Sequence, residues 1–403
     1  MFKKLLVLIV TAFVDMVGLL MILPLMPYYA RDLGAGSLMV TVLVVSFTAA
    51  QLLSAPLWGR FSDKYGRRPA LLVGLAAAAV AYVVFAYAES IWLLVISRIV
   101  QGAGGGTVSV IQAYVADSTE PKNRAKALGW LSAATNLGVA LGPPLGSAAL
   151  VFGRSGPGVV AAALCLVNMV FAWKYLQESR DMEDARTAKR IRGASRAAIA
   201  RVITHAKEAG PRLIWIYAIT MGAFSAVTAI LPLFLADQFG VGEKNVWIFF
   251  TYIGLISVVT RIAVLGRAVD KFGEAKLSRI GLVMLATGLA SYPFVHNYVL
   301  LALVVALVPL GTAFTFPCVT SLLSRVISSS ERGLYMGVQQ TYGGLSRLII
   351  PLWAGFSYDQ FGRAIPFLTS AGLVLFSLFL DFGIDDGRRA GAPPQEVPGE
   401  VVA

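Results

Sequence analysis

The segment GRFSDKYGRRPA (residues 59–70) carries five charged residues in twelve, inside a chain that is otherwise strongly apolar. A related segment, GRAVDKFGEAKL, occupies residues 266–277. Four residues of the first recur 207 positions later, because Gly59, Asp63, Lys64 and Gly66 match Gly266, Asp270, Lys271 and Gly273. At a displacement of 208, ILPL (22–25) recurs at 230–233, and Arg124, Gly129 and Pro143 recur as Arg332, Gly337 and Pro351. The chain is therefore predicted to consist of two structural repeats with the same orientation in the membrane.

The composition indicates a membrane protein. Of 403 residues 57% are hydrophobic and 14% charged, and the mean hydropathy is +0.73, whereas soluble domains carry about 25% charged residues. Apolar runs of roughly 18 to 25 residues, long enough to cross the hydrocarbon core as helices, recur along the chain. Uninterrupted runs such as LLVLIVTAF (5–13) lack the alternation of a transmembrane β-strand.

The apolar runs predict an all-α membrane protein, with twelve transmembrane helices in two pseudo-symmetric bundles of six. We number the predicted spans 1 to 12. They cover residues 5–29, 38–58, 70–88, 91–115, 127–150, 157–177, 212–235, 245–265, 278–295, 298–325, 336–357 and 364–383. The predicted domains are an N-terminal bundle (1–177), a charged cytoplasmic linker (178–211), a C-terminal bundle (212–383) and a disordered cytoplasmic tail (384–403).

The net charge of +12 does not indicate a nucleic-acid partner, because the basic residues are distributed by side of the membrane. On the twelve-span map 27 of the 34 Lys and Arg residues fall on the side of the termini, and three fall inside spans. The other four are Arg31, Arg154, Lys244 and Arg363. Since basic loops stay in the cytoplasm, both termini are predicted to be cytoplasmic.

Several other kinds of site or segment are not indicated. The first apolar stretch is long enough to span and has no small-residue cleavage site, so no signal peptide is predicted. Cys165 and Cys318 lie in separate apolar spans and are interpreted as buried hydrophobic residues without a disulfide. His205 and His296 are far apart in sequence, and no metal site is predicted.

Four motifs together carry a resemblance to a known family. The segment between spans 2 and 3 reads G-x-x-x-D-x-x-G-R-R, span 4 contains RIVQGAGGG (98–106), span 5 contains GVALGPPLGS (138–147), and span 1 contains Asp15 in VDMVG. On these motifs the chain resembles the major facilitator superfamily, and within it the twelve-helix drug:proton antiporters that include tetracycline efflux proteins. Tetracycline exporters resemble one another in acidic residues in spans 3 and 9, where this chain has Ala81 and Ala286. This difference weighs against tetracycline as the substrate.

The resemblance implies proton-coupled efflux of small amphipathic organic compounds by two bundles that expose a central site to one side at a time. It further implies a monomer in the cytoplasmic membrane of a prokaryote, with substrate, protons and lipid bilayer as partners. No cofactor is expected beyond the proton gradient.

Asp15 is the only carboxylate well inside a predicted span, which makes it the first candidate for proton coupling. A charged Asp at mid-bilayer costs about 2.5 to 3.5 kcal/mol on insertion scales, so it should face a watery cavity or a partner, or carry a proton. Arg98 in span 4 is the candidate partner, since it is always charged and starts a polar stripe of Gly102, Gly105, Ser109 and Gln112. The alternatives are a fixed ion pair or helix contact for Asp15, and a bond to backbone carbonyls for Arg98.

The glycine-rich motifs are interpreted as helix-packing surfaces. No strand precedes GAGGG (102–106), which argues against a phosphate-binding loop. In span 5, Gly138, Gly142, Pro143 and Gly146 follow four-residue spacing and predict a smooth groove along which span 5 slides against a helix of the other half.

Polar and aromatic residues within spans are candidates for lining the substrate cavity. These are Gln51, Gln112, Asn136, Asn168, Phe224, Phe316, Gln340 and Arg347. Two arginines in the C-terminal half, Arg261 and Arg347, accompany a single embedded carboxylate, which favours an anionic or zwitterionic substrate over a lipophilic cation. The alternative is that both arginines serve contacts between helices.

The opening segment predicts a conformational latch on the cytoplasmic side. Gly59 permits close approach of a helix, Gly66 permits a turn with positive φ, and Asp63 is placed at the N-terminus of span 11 near Gly337. Arg67 is predicted to bridge Asp63 to Asp117 at the end of span 4. The first copy is expected to be the stronger latch, because the echo has Glu274 and Ala275 where the first copy has Arg67 and Arg68.

Two other functions remain open at this stage. A proton symporter or facilitator that imports an organic anion or sugar uses the same architecture. The other alternative is a membrane receptor or enzyme on this scaffold. The sequence shows no paired carboxylates, Ser-His-Asp set or nucleotide-binding loop that would support it. The chain is not predicted to be an enzyme.

Overall fold

The computed structural model describes residues 2–105, 107–119, 121–178, 194–328 and 331–384. Within these ranges every regular element is a helix, in agreement with the predicted all-α class. The helices are α1 (Phe2–Ile22), α2 (Met26–Asp32), α3 (Ser37–Tyr65), α4 (Arg67–Ala86), α5 (Ile91–Gly104), α6 (Thr107–Ser118), α7 (Pro121–Ala149), α8 (Gly156–Tyr175), α9 (Ala194–Thr204), α10 (Ala209–Phe239), α11 (Val246–Val259), α12 (Leu265–Phe272), α13 (Glu274–Ser291), α14 (Tyr298–Val326), α15 (Arg332–Phe361) and α16 (Ile365–Asp381).

The helices account for the twelve predicted spans, three of which are interrupted. Span 1 is α1 and α2, which Pro24 separates because it has no N–H to donate within a helix. Span 4 is α5 and α6, separated within the glycine-rich run. Span 8 is α11 and α12, joined by a π-helix at Thr260–Val264 that contains Arg261. The other spans are single helices, namely α3, α4, α7, α8, α10, α13, α14, α15 and α16.

Most of these helices are long and apolar enough to cross a membrane. Among the described residues nine helical stretches meet that criterion, and Ile91–Gly104 and Ile365–Asp381 are shorter apolar helices. The helix of span 11, Arg332–Phe361, has 30 residues but is not among those nine stretches. The protein is an integral membrane protein that crosses the bilayer many times.

The two halves meet through a reciprocal pair of contacts. Span 2 packs against span 11, where Leu52 lies 3.2 Å from a Cβ placed on Gly344. Span 5 packs against span 8, where a Cβ placed on Gly254 would lie 3.4 Å from Ala140 Cα. Spans 8 and 11 are the second and fifth of their own half, so the contacts obey the pseudo-symmetry predicted from the repeat.

Span 12 ends beside the beginnings of spans 7 and 9. Arg212 Nε donates to the Leu380 carbonyl at 2.5 Å, and Arg279 Nε lies 2.8 Å from Asp381 Oδ2. We call the membrane face that contains these residues the terminal side, and the opposite face the far side.

The opening segment, which the sequence analysis placed between spans 2 and 3, is helical except at one residue. Helix α3 continues to Tyr65 and α4 begins at Arg67, with Gly66 between them at φ 100° and ψ 162°. Gly273 makes the same turn in the echo, at φ 79° and ψ 162°. Glycine is required because this conformation strains a residue with a Cβ, so the prediction of a positive φ at Gly66 is confirmed.

The predicted linker contains one described helix. In α9, Ala198 and Val202 are buried, the Val202 carbonyl accepts from Trp215 Nε1 at 3.3 Å, and the Ile199 carbonyl accepts from the Tyr342 hydroxyl at 3.0 Å. This helix therefore docks on the C-terminal half. Residues 179–193 of the linker and 385–403 of the predicted tail lie outside the described residues, and the domain boundaries stay predictions.

Candidate functional site

Asp15 lies in a small niche of the N-terminal half that is built from spans 1 to 4. The side chain is half-buried, and its Oδ2 accepts a hydrogen bond from the Thr107 hydroxyl at 2.9 Å. Gln51, Tyr82 and Gln101 also line the niche. Thr107 was not among the predicted site residues, although a hydroxyl directly after the GAGGG run was a signal available in the sequence.

A larger cavity lies between the halves. Its inner part, about 220 Å³, is lined by spans 1, 2 and 4 and by spans 7 and 11. A second part of about 540 Å³ continues from it through the shared residues Thr48 and Arg347. Gln51 lines both this second part and the Asp15 niche. The carboxylate and the cavity between the halves are therefore neighbours, and the cavity has the size of a drug-like ligand.

Two arginines from opposite halves face the inner cavity. Arg98 is only 1% exposed, and its Nε and Nη2 are buried without a hydrogen-bond partner among the described residues. Its guanidinium lies 5.6 Å from the centre of the Phe85 ring. Arg347 is half-buried, and its Nε is likewise buried without a described partner.

Asp15 and Arg98, both within the described residues, form no ion pair in this structure. The carboxylate bonds to Thr107 instead. Their predicted partnership requires contact in one conformation and separation in another, and this conformation is the separated one. The coupling role of both residues stays a prediction.

The predicted cavity residues divide into three groups. Gln51, Gln112, Gln340, Phe224 and Arg347 line the cavity between the halves. Phe316 packs edge-on against Phe224, with ring centres 6.4 Å apart, and so supports the lining.

Two predicted cavity residues are elsewhere. Asn136 is not among the residues that line the described cavities. Its neighbour Thr135 lines a recess of about 270 Å³ in the N-terminal half, which shares Gln112 with the second part of the central cavity. Asn168 is buried, and its Nδ2 donates to the Thr11 carbonyl at 3.1 Å. Asn168 therefore joins span 6 to span 1, which corrects its assignment to the cavity.

The glycines of span 5 face span 1 of their own half, not a helix of the other half as predicted. A Cβ on Gly138 would lie 2.8 Å from Met16 Cβ, and one on Gly142 would lie 2.6 Å from Leu20 Cβ. A Cβ on Gly146 would overlap the carbonyl oxygen of Met21. The four-residue spacing predicts the smooth face correctly but does not identify the helix that covers it. Span 5 contacts the other half through a different face, where the small residue Ala140 lies against Gly254 of span 8.

The structure describes only part of the predicted latch, whose role stays a prediction. Arg67 Nη1 lies 3.2 Å from Asp63 Oδ1 and donates to Ser62 Oγ at 2.8 Å, so these contacts remain within the N-terminal half. Among the described residues, no heavy atom outside the glycine's own helix lies within 4 Å of a Cβ placed on Gly59 or Gly337. The close approach predicted for these glycines is therefore not formed here. The side chain of Asp117 lies outside the described residues.

The turn at Gly66 is tied to the start of the linker instead. Glu178 accepts hydrogen bonds from the Arg67 and Arg68 backbone N–H groups at 2.9 and 3.0 Å, so its carboxylate caps the N-terminus of α4. A Cβ on Gly66 would overlap this carboxylate. Glu178 was not recognised from the sequence, because it is more than a hundred residues away.

In the second copy the corresponding turn carries an ion pair between a buried carboxylate and an exposed arginine. Glu274 is 8% exposed, and its Oε1 lies 2.7 Å from Arg325 Nη2 and accepts from Ser321 Oγ at 2.8 Å. This pair joins spans 9 and 10 within the C-terminal half.

The far side is closed by two carboxylates that the sequence analysis did not identify. Asp237 of span 7 binds both terminal nitrogens of Arg31 of span 1, at 2.7 and 2.8 Å, and accepts from the Tyr358 hydroxyl at 2.7 Å. Asp359 of span 11 accepts from the Ser37 and Leu38 backbone N–H groups, at 3.0 and 2.8 Å, at the start of span 2. We call these two contacts the far-side gate, because each joins one half to the other.

Neutralising the gate should open the far side. Asp237→Asn removes the charge on which Arg31 and Tyr358 converge, and a loss of about 1 kcal/mol changes the ratio of closed to open states about fivefold. A cysteine introduced at Thr48 should then react several-fold faster with a membrane-impermeant thiol reagent applied from the far side. Asp32→Asn is the matched control, since the Asp32–Arg154 pair (3.4 Å) lies on the same side within one half. Equal labelling rates in both variants would contradict the gate.

Comparison with known proteins places this geometry among membrane transporters. The model of the Major Facilitator Superfamily matches residues 8–264 and 262–400. The chain is 26% identical to Multidrug resistance protein 2 of Bacillus subtilis (strain 168) over 93% of each chain. It is also 26% identical to the class B Tetracycline resistance protein of Escherichia coli, over 87% of this chain and 88% of that protein.

Solved structures share the fold. The crystal structure of the human organic anion transporter MFSD10 (TETRAN) superposes with a TM-score of 0.69 over 94% of this chain and 99% of that chain, at 24% identity. At this identity the likeness concerns the arrangement of helices alone.

Proposed function

The chain belongs to the Major Facilitator Superfamily, and from that premise we propose that it exports small amphipathic organic compounds in exchange for protons. It is a transporter of the drug-antiporter type, as the family match and the relatives named for multidrug and tetracycline resistance indicate. Proton coupling, the direction of transport and alternating access are the proposal.

The observation that carries the proposal is the position of Asp15. Its half-buried carboxylate lies in a niche whose lining residue Gln51 also lines the cavity between the halves. A carboxyl group that exchanges between apolar surroundings and the neighbourhood of a cation can take up and release a proton. Substrate and proton can therefore influence each other at short range.

The contacts between the halves support alternating access. In the present state the far-side gate is formed and the latch glycines on the terminal side are uncovered. The complementary state would break the gate contacts of Asp237 and Asp359 and bring Gly59 and Asp63 to span 11 near Gly337. A proton gradient drives the exchange only if proton and substrate bind the two states unequally.

We further propose that the terminal side is cytoplasmic, because the excess of Lys and Arg lies there. The proposed location is the cytoplasmic membrane of a prokaryote. We propose a monomer, since one chain supplies both halves of the cavity, and the proton gradient as the only energy source.

Dye-monitored proton flux in proteoliposomes tests the proposed antiport. Purified protein is reconstituted with a pH gradient and challenged with cationic, neutral and anionic amphiphiles of similar size. At least one class should release protons from the loaded side, and liposomes without protein should give no response. The absence of compound-dependent proton flux across the whole panel would overturn proton-coupled export.

A further inference from the structure

The two arginines of the inner cavity lack the anion that their burial requires. Arg98 of span 4 and Arg347 of span 11 line the same cavity from opposite halves, and each has at least one buried guanidinium nitrogen without a described partner. An arginine keeps its charge when buried. Burying a charge without a counter-charge is costly, so the site is electrostatically incomplete as it stands.

Carboxylates of the protein do not fill this gap among the described residues. The linings of the inner and second cavity parts include Thr48, Ser225, Thr228 and three glutamines, and no Asp or Glu. Asp15 lines the adjoining niche, where one oxygen is engaged by Thr107, and it forms no ion pair with either arginine. A bound ligand can supply the missing negative charge.

The rest of the inner lining specifies an apolar body for that ligand. Its apolar lining includes Leu23, Met26, Val44, Met221 and Phe224. Phe224 is supported edge-on by Phe316, which itself packs on Tyr217 with ring centres 5.4 Å apart. A flat aromatic or branched aliphatic body fits these walls, whereas a small hydrophilic anion would leave them without contacts.

We propose that Arg98 and Arg347 form the anion-binding part of the substrate site, and that the substrates are amphipathic organic anions carrying a carboxylate or sulfonate. This inference deepens the proposed export function and rests on it. A planar anion can take paired hydrogen bonds from a guanidinium. Because the arginines belong to different halves, an anion held by both also joins the halves across the cavity.

Equilibrium binding separates this inference from the question of transport. Purified protein in phosphatidylcholine nanodiscs is titrated with 1-pyrenebutyrate, and with its alcohol and its amine, which present the same aromatic body as neutral and cationic compounds. Titrations of empty nanodiscs are subtracted. The anion should bind at least about tenfold more tightly than either analogue, since it alone can accept charge-assisted hydrogen bonds from both arginines.

Substitutions of the two arginines test whether they cause the preference for the anion over its neutral and cationic analogues. Arg347→Gln should lower the affinity for pyrenebutyrate about tenfold or more and leave the affinity for the alcohol unchanged. Arg347→Lys should recover part of the loss, because lysine keeps the charge without the planar fork. Arg261→Gln is the matched control, since Arg261 is also a partly buried arginine within a span of the C-terminal half but does not line the described cavities. Arg98→Gln should resemble Arg347→Gln.

Each outcome bears on the proposal independently of proton flux. Tighter binding of the amine than of the butyrate would overturn it, as would unchanged affinity for the anion in Arg347→Gln. If Arg98→Gln does not fold, the Arg347 series and the comparison of the three compounds still decide. Competition by phosphatidylglycerol in the nanodiscs would support the anion site and identify a lipid as one source of the anion. A protein that binds the anion but gives no proton flux would retain this site and lose the proposed antiport.

Discussion

Replacing Asp15 with asparagine is expected to abolish transport against a gradient. The asparagine side chain can still accept the hydrogen bond from Thr107, so the niche should keep its shape. It cannot take up or release a proton, and movement of substrate then loses its link to the proton gradient. Substrate-dependent proton release in proteoliposomes should fall to the level of liposomes without protein, while equilibrium binding of substrate persists.

Thr107→Val is the control for this experiment. It removes the hydrogen bond to Asp15 Oδ2 but leaves the carboxyl group in place, so coupling should survive with a changed dependence on pH. An Asp15→Asn protein that still transports uphill with the wild-type pH profile would remove Asp15 from the coupling mechanism.

Gly146→Ala is expected to reduce the yield of folded protein more than any other single methyl addition in the span 5 motif. The added Cβ would overlap the Met21 carbonyl oxygen, which is backbone and cannot rotate away. Overpacking of this kind costs about 1 to 3 kcal/mol, or more where the backbone must move. The transition temperature in detergent should fall clearly, and the monodisperse fraction in size-exclusion chromatography should decrease.

Gly59→Ala is the matched control, because Gly59 also belongs to a motif and lies in a helix, yet a Cβ there meets open space in this structure. Alanine is the better helix former, so the transition temperature should be unchanged or slightly higher. Equal destabilisation of both variants would show that the contact between spans 5 and 1 is not the cause.

The architecture could be predicted from the sequence because its signals are local or repeated. Twelve apolar runs and the matches at displacements of 207 and 208 determine the number of spans and the relation between the halves. Asp15 was identifiable because a carboxylate within an apolar span is costly wherever the helix lies.

The neighbours of each surface could not be predicted in the same way. Glycine spacing in span 5 defines a flat face, but whether span 1 or span 8 covers it depends on how the helices are rotated in the bundle. The far-side gate was missed for a related reason, since Asp237 and Asp359 are unremarkable helix-end residues until the halves are brought together. One signal was present, because Arg31 is among only four basic residues assigned to the far side.

Glu274 corresponds to Arg67 at the displacement of 207, and Arg325 corresponds to Asp117 at the displacement of 208. The acid and the base have therefore exchanged positions between the two copies. The predicted Arg67–Asp117 bridge and the observed Glu274–Arg325 pair thus each combine one acid with one base. A chimera that carries residues 266–277 in place of 59–70 would set a glutamate and an aspartate at the two positions. Exchanging Asp117 for arginine in that chimera would restore one acid and one base at the two positions.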